Sequence, residues 1–250
     1  MKQLSLLLCF KYLYKRKIVL LSVVAVAMSC ALLMVVSALF SGFINALEQS
    51  SKDTTGDIVI SAPSRRRIPQ YDKLIAELEL SAEVEAAGPL LASQGGLLYL
   101  GKGNVRGVFI LGIDIAKCIQ VTRFGESLLR QKESTDSPAF GLPDYPLDTG
   151  GFVGIGVITK PDEKTDEYDF ETARSEYVGR KVRLTTASAA SKKPRLVKFR
   201  ISDIFHSGIY KLDKDAVYLP IDVLIEQLYP DEGKICDEIQ VKLADGVDIA

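Results

Sequence analysis

Between Ile18 and Leu47 this chain carries no charged residue. The run reads IVLLSVVAVAMSCALLMVVSALFSGFINAL, 30 residues; as a helix rising about 1.5 Å per residue it reaches roughly 45 Å, against about 30 Å of bilayer hydrocarbon. A cleavable export signal has an apolar region of roughly 7 to 15 residues that ends at a small-residue cleavage site. This run is about twice that long, so the sequence predicts a retained transmembrane helix. Lys2, Lys11, Lys15, Arg16 and Lys17 precede it with no acidic residue among them. Excess cations flanking a membrane helix mark the cytoplasmic side, with Phe10, Tyr12 and Tyr14 suited to the inner interface. Everything after Glu48 then lies outside the cytoplasmic membrane.

The surplus length predicts a helix that leaves the bilayer as a stalk. Phe43, Ile44 and Leu47, interleaved with Asn45, Glu48 and Gln49, fit an amphipathic exit. Ala27 with Ala31, Ser37 with Ser41, and Ala38 with Gly42 are small residues four apart, a spacing that allows close approach of a second membrane helix. Equally, such residues are common in membrane helices for no special reason.

All 32 acidic residues of the chain lie after Leu47. The net charge of the whole is -1, with no basic excess to suggest nucleic acid. The soluble part has an ordinary charged surface and enough residues for one sizeable core or two small ones. Of four cysteines, Cys9 falls on the cytoplasmic side and Cys30 in the membrane. Cys118 and Cys236 share the oxidising compartment; they could pair, or stay as two buried thiols.

The outer part opens as β-α-β-β. GDIVISAP reads as a short strand, and Tyr71, Leu74, Ile75 and Leu78 recur at helical spacing. EVEAAGPLLASQGGLLYLG and VRGVFILGIDI read as β segments joined by a GKGN turn. A helix is expected from Ala116 to about Arg130, then a loop over QKESTDSPAFGLPDYPLDTGG and a buried strand FVGIGVI. TKPDEKTDEYDFETARSEYVG reads as a solvated insertion; it lacks the spaced ligands of a calcium loop. Strand KVRLTTA, loop SAASKKP and strand RLVKFRISDIF make a hairpin. AVYLPI follows as a strand, PIDVLIEQL as a helix, and CDEIQVKLADGVDIA holds a last strand.

His206, the only histidine, stands beside Ser207 and near Asp213 in FHSGIYKLDKD. A catalytic triad needs its nucleophile on a constrained turn with a separately positioned base, and adjacent His-Ser between two strands supplies neither. The reading of this stretch is a β turn. GGFVGIG has its glycines in the wrong order for a dinucleotide loop, and GKGN lacks the rest of a phosphate loop. No residue pattern calls for a catalytic group, a metal or a cofactor.

Two stretches carry a family resemblance. FKYLYKRKIVLLSVVAVAMSCALLMVVSALFSGFINALEQSSKDTTGDIVIS resembles the start of the lipoprotein-releasing (Lol-type) ABC transporter permeases, within the MacB/FtsX-like permease superfamily. There an RYL..R entry precedes the first membrane helix, SGF marks its outer end, and a DI.I strand opens the periplasmic domain. FRISDIFHSGIYKLDKDAVYLPID is similar to the family's strand, GIF.sG turn and vYvpl entry to a helix. The two anchors lie at opposite ends, so the resemblance covers nearly the whole chain.

The resemblance implies an α+β fold: one N-terminal transmembrane helix, then a MacB-like periplasmic core domain. In it a β-α-β porter-like part (56–115 and 236–250) carries an inserted mixed α/β part (116–235), with 1–17 cytoplasmic, 18–47 membrane helix and stalk, and 48–250 periplasmic. It implies work with a cytoplasmic ABC ATPase and a second permease copy or paralogue, on a lipid-anchored or other envelope client, with no covalent chemistry in the permease itself. The family has three further membrane helices after this domain, so the chain reads as a fragment or an incomplete permease. In the lipoprotein-releasing branch a protruding hairpin captures a periplasmic lipoprotein carrier. Here only SAASKKP takes its place, with Lys192, Lys193 and Arg195 as a basic contact or as a solvated charge cluster. Two other classes stay open: a single-pass membrane-anchored binding or sensor module, and an envelope enzyme built on His206.

Overall fold

The computed structural model describes residues 17–63, 66–101, 103–134, 137, 139–188, 191–244 and 246–247. The expectations placed on Lys2, Lys11, Lys15, Arg16, Phe10, Tyr12, Tyr14 and Cys9 lie outside them. The chain divides into two units, one ending at Ser50 and one starting at Ser51.

Helix α1 spans Lys17–Thr55, about 58 Å at the usual rise. Among the described residues it is the one helix long and apolar enough to cross a membrane. In the first unit its large apolar side chains, Leu21, Met28, Leu33 and Phe40 among them, are exposed. A soluble surface does not sustain an apolar stripe of that extent. Ser22 and Ser29 donate to Val19 O and Ala25 O at 2.9 Å, so each hydroxyl is satisfied within its own helix, as lipid requires. Ala27, Ala31, Ser37, Ala38, Ser41 and Gly42 are exposed on the same helix. Phe43, Ile44 and Leu47, the expected amphipathic exit, are exposed too.

The second unit is built on strands β1 (Ile58–Ser61), β2 (Ile68–Pro69), β3 (Val84–Gly101), β4 (Asn104–Ile113), β5 (Gly150–Gly154), β6 (Lys181–Ser188), β7 (Ser191–Phe205), β8 (Ala216–Pro220), β9 (Ile235–Cys236) and β10 (Glu238–Leu243). Its helices are α2 (Tyr71–Leu78), α3 (Ile115–Val121), α4 (Ile155–Ile158), α5 (Phe170–Tyr177), α6 (Tyr210–Asp215) and α7 (Ile221–Leu228). Eight strands form one sheet in the order β1-β10-β3-β4-β8-β5-β7-β6, and β6 also pairs with β3. Strands β3, β4, β8, β5, β7 and β6 therefore close a ring, which removes edges that would otherwise invite pairing.

Strand β3 makes this closure possible. Its first half pairs with β10 (Ala87 opposite Val241) and its second half with β6 (Leu98 opposite Leu184), while β4 runs along its other side. The change of partner falls at Ser93–Gly96, where the β3–β4 register shifts. A Cβ at Gly96 would lie 3.0 Å from Thr185 O, so a bulge with glycine lets the two backbones approach. Alternation does the rest. Leu98 and Leu100 are buried with Ile110, Leu184, Val197, Phe199 and Ile201, while Leu97 and Tyr99 face out. Outside the ring, Ile221, Leu224, Ile225 and Leu228 give α7 one buried stripe, and Tyr71 and Ile75 do the same for α2.

The expected order of elements holds with local differences, among them the short paired strands β2 and β9. The helix expected from Ala116 to Arg130 runs only Ile115–Val121: Asp114 caps its start by accepting from Ala116 N at 3.1 Å, and Thr122 Oγ1 donates to Cys118 O at 2.8 Å at its end. FVGIGVI is a strand only to Gly154; Thr159 donates to Ile155 O from both N and Oγ1, which closes one helical turn instead. The solvated insertion contains α5, started by Asp169, which accepts from Thr172 N at 3.0 Å. Tyr210–Asp215, read as turn, is helix α6. The expected loop SAASKKP is mostly strand, since β6 runs to Ser188 and β7 starts at Ser191, with Ala187 opposite Pro194. Lys192, Lys193 and Arg195 thus lie on β7.

Candidate functional site

The second unit opens on the end of α1. At that end, Gly56 has φ +77° and its N–H donates to Lys52 O at 2.9 Å, a left-handed helix stop that glycine takes without strain. Space is equally tight: a Cβ there would lie 2.8 Å from Val241 O and 2.9 Å from Val121 Cγ1. The next residue fastens the strand: Asp57 N donates to Val241 O at 2.9 Å, and Leu243 N donates to Asp57 Oδ2 at 3.0 Å. On the other flank Arg123 N donates to Asp53 O at 2.9 Å, with Arg123 Nε 3.4 Å from Asp53 Oδ1. The last helical turn is therefore tied to β10 on one side and to the turn after α3 on the other.

Beside this joint lies a cavity of about 380 Å³. Asp53–Thr55 form part of its wall, and Leu90, Leu111, Ile113, Phe205 and Tyr218 supply an apolar interior. Phe124 tilts against Phe205 and Tyr218 with ring centroids 5.8 and 4.7 Å apart, which fixes the aromatic side. Cys118 also lines it; burial pushes this thiol up to about 11, so it stays protonated and unreactive. Cys236 sits in β9 and burial pushes it up to about 12; neither cysteine is bridged.

His206 and Ser207 reach the same cavity, and their contacts are those of a turn clamp. Asp213, 3% exposed, accepts from Ser207 N at 2.6 Å, Ser207 Oγ at 2.8 Å and Gly208 N at 2.9 Å. The serine hydroxyl thus gives its proton to the aspartate and not to the imidazole, and Oγ accepts from Ile209 N at 3.2 Å. His206 Nδ1 lies 3.0 Å from Asp213 Oδ2 but off the N–H direction, so the two are close without an aligned hydrogen bond. Its ring packs between Tyr168 and Phe170. In a hydrolytic triad the imidazole stands between acid and hydroxyl; here the acid holds both. Among the described residues no three of His, Cys, Asp and Glu converge as a metal site.

Two further carboxylates, unremarked in the sequence, hold the loop between α3 and β5. Asp203, fully buried, accepts from Arg130 N, Gln131 N and Ile204 N at 3.0, 2.8 and 2.8 Å. Burial raises its carboxyl above the usual range despite those three donors. Asp148 accepts from Lys181 Nζ at 2.9 Å and from Arg200 Nη2 at 2.7 Å, with the guanidinium stacked 3.5 Å above the Tyr145 ring. Its bonds to Lys181 and Arg200 hold its carboxyl below the usual range.

The family described as MacB-like periplasmic core domain matches residues 19–250. The chain belongs to that family. Its fold class is accordingly α+β, one N-terminal apolar helix followed by a MacB-like periplasmic core domain. Solved structures are similar at low identity: the periplasmic region of MacB from Actinobacillus actinomycetemcomitans is 14% identical, with 76% of this chain and 75% of that one covered at TM-score 0.45. The extracellular domain of the noncanonic ABC-type transporter YknZ from Gram-positive bacteria is 13% identical, with 75% and 83% covered at TM-score 0.44. A domain of a putative permease from Porphyromonas gingivalis is 14% identical, with 69% and 67% covered at TM-score 0.36. No relative among the curated proteins matches. Membership makes this the periplasmic part of a transporter permease of the MacB type, with an apolar helix suited to the inner membrane. It points to the superfamily and not to the lipoprotein-releasing branch in particular.

The other residues singled out in the sequence are dispersed. Arg195 is exposed on β7, opposite Thr186, while the side chains of Lys192 and Lys193 are outside those described. Sequence reasoning missed the cavity altogether, since its wall residues run from Asp53 to Gln240 with no local motif.

Proposed function

We propose that this chain is a permease subunit of an ABC-type envelope machine whose clients are lipid-anchored proteins released from the inner membrane. A separate cytoplasmic ATPase supplies the energy, a second permease copy or paralogue completes the machine, and the N-terminus lies in the cytoplasm with residues 48–250 in the periplasm. The observation that carries the reading is the joint at Asp53–Asp57. Within the second unit, backbone bonds and a close-packed glycine tie the last helical turn to β10, a fastening that suits a coupled permease head. The SGF and DIFHSG stretches favour the lipoprotein-releasing branch.

Within this reading, Ala27, Ala31, Ser37, Ala38, Ser41 and Gly42 seat a neighbouring membrane helix. Lys192, Lys193 and Arg195, near the tip of the β6–β7 hairpin, offer a basic contact to an envelope partner such as a periplasmic lipoprotein carrier. The porter-like and inserted parts meet along β3 and β4.

The test is depletion followed by fractionation. Loss of the protein should leave acylated proteins in the inner membrane, and native purification of the tagged chain should recover an ATPase subunit. Unchanged lipoprotein sorting with an ATPase still bound would move the client to another class; absence of any ATPase would remove the transport reading. A membrane-anchored binding module is the second reading, and the cavity beside the joint is the observation in its favour.

A further inference from the structure

Gln240 lies on β10 between Ile239 and Val241, whose side chains are buried in the main core. Its own side chain therefore points to the opposite face of the sheet, where it lines the cavity beside Asp53–Thr55. It is 8% exposed and brings a neutral carboxamide to the cavity wall. Thr122, in the same wall, has its hydroxyl engaged locally, donating to Cys118 O and accepting from Phe124 N.

The remaining lining defines what fits. Five apolar side chains and the tilted ring of Phe124 make the interior greasy, and a volume of about 380 Å³ falls within the range of small-molecule sites. Given about 30 Å³ per small atom group, the space takes on the order of a dozen non-hydrogen atoms. In the wall Asp53 and Arg123 pair with each other, Nε to Oδ1 at 3.4 Å.

We infer that this cavity is a binding site for a small, mostly apolar molecule carrying one neutral hydrogen-bonding group, an alcohol, amine or amide, which pairs with Gln240. Bound there, the molecule touches the last turn of α1, α3 and the Phe205–Ser207 turn at once, so its occupancy stiffens the joint. The inference goes beyond the transport reading and does not depend on it.

The experiment uses the full chain in phosphatidylcholine nanodiscs with 1-aminoanthracene, a neutral fluorescent amine of suitable size, and empty nanodiscs as the blank. Saturable binding of one probe per chain above the blank is expected, with displacement by 1-hexanol. Gln240→Leu keeps the shape and removes the amide; it should weaken binding about tenfold, the loss of one hydrogen bond to a buried group. Ser127→Phe, which fills the cavity from the far wall, should abolish it. On the unaltered chain, saturating probe should raise the thermal unfolding midpoint, and on Gln240→Leu it should raise it less. A signal equal to the blank, an unchanged unfolding midpoint with probe, or Gln240→Leu binding as tightly as the parent overturns the site, whether or not an ATPase co-purifies.

Discussion

The carboxylate of Asp203 takes a hydrogen bond from the backbone N–H of Arg130 at 3.0 Å, joining the C-terminal end of β7 to a loop 73 residues earlier in the chain. Gln131 N and Ile204 N complete its ligation, and Leu129 N donates to Ile204 O at 2.9 Å beside it. One buried acid thus stands where a strand partner would otherwise be. Asp203→Ala leaves three N–H groups without an acceptor and should cost about 2–4 kcal/mol. Urea unfolding of the full chain checks this, and a loss under about 0.5 kcal/mol would show that the carboxylate is not the anchor.

Acid titration should separate the two carboxylates of this loop. Asp148 is held below the ordinary range by Lys181 and Arg200, so its contribution is present above about pH 4 and is lost as pH falls through its lowered value. Asp203 is raised by burial, so its protonated form favours the fold. That contribution is complete below about pH 4 and is lost as pH rises through the raised value. Removing the partner in Arg200→Met should flatten the acid limb of stability against pH, and Asp203→Ala should flatten the opposite trend. Identical pH profiles for both variants and the parent would contradict the assignment.

At the joint, Gly56→Ala meets two penalties, a left-handed backbone and a Cβ 2.8 Å from Val241 O. Gly103 has a similar φ of +79° with nothing near its missing Cβ, so Gly103→Ala meets only the first, about 1 kcal/mol. The difference between the two variants in thermal unfolding isolates the contact with β10. Gly56→Ala should be the worse by about 1–3 kcal/mol. Equal losses would mean the helix end is not pressed against the sheet.

The turn after β7 gives a sharper contrast. Asp213→Ala frees Ser207 N, Ser207 Oγ and Gly208 N and should destabilise by about 2–3 kcal/mol. His206→Ala removes a partly exposed ring that makes no aligned hydrogen bond, and should cost under about 1 kcal/mol. A histidine variant more damaging than the aspartate variant would make the imidazole, and not the carboxylate, the clamp of this turn.

Much of this architecture shows in local pattern. Tyr71, Leu74, Ile75 and Leu78 announce α2, and the alternation of Val197, Phe199 and Ile201 announces β7, because burial of one face writes a period into the sequence. Ring closure shows nowhere locally: Leu98 opposite Leu184 and Phe109 opposite Ala216 are pairings between distant segments. Short helices such as Tyr210–Asp215 escape because six residues hold too little periodicity. For the site, the turn reading of His206 rested on sequence and agrees with the clamp by Asp213. Asp203 did leave a trace, a polar Ser202–Asp203 pair inside the apolar run of β7, where no solvent-facing period explains two consecutive polar residues. Gln240 left none, since EIQVKL alternates as any half-buried strand does.

Strand β3 is 18 residues long and serves two enclosures, β10 on its first half and β6 on its second. The bulge at Ser93–Gly96 sets the two halves one residue out of phase, with Ala87 and Leu91 in the core before it and Leu98 and Leu100 after it. A single residue inserted between Ala92 and Leu97 would turn Leu98 and Leu100 to water and Leu97 and Tyr99 inward, emptying the ring while leaving the half beside β10 in step. Loops of this head can vary in length, but the one extra residue at Ser93–Gly96 has to stay for both enclosures to keep their cores.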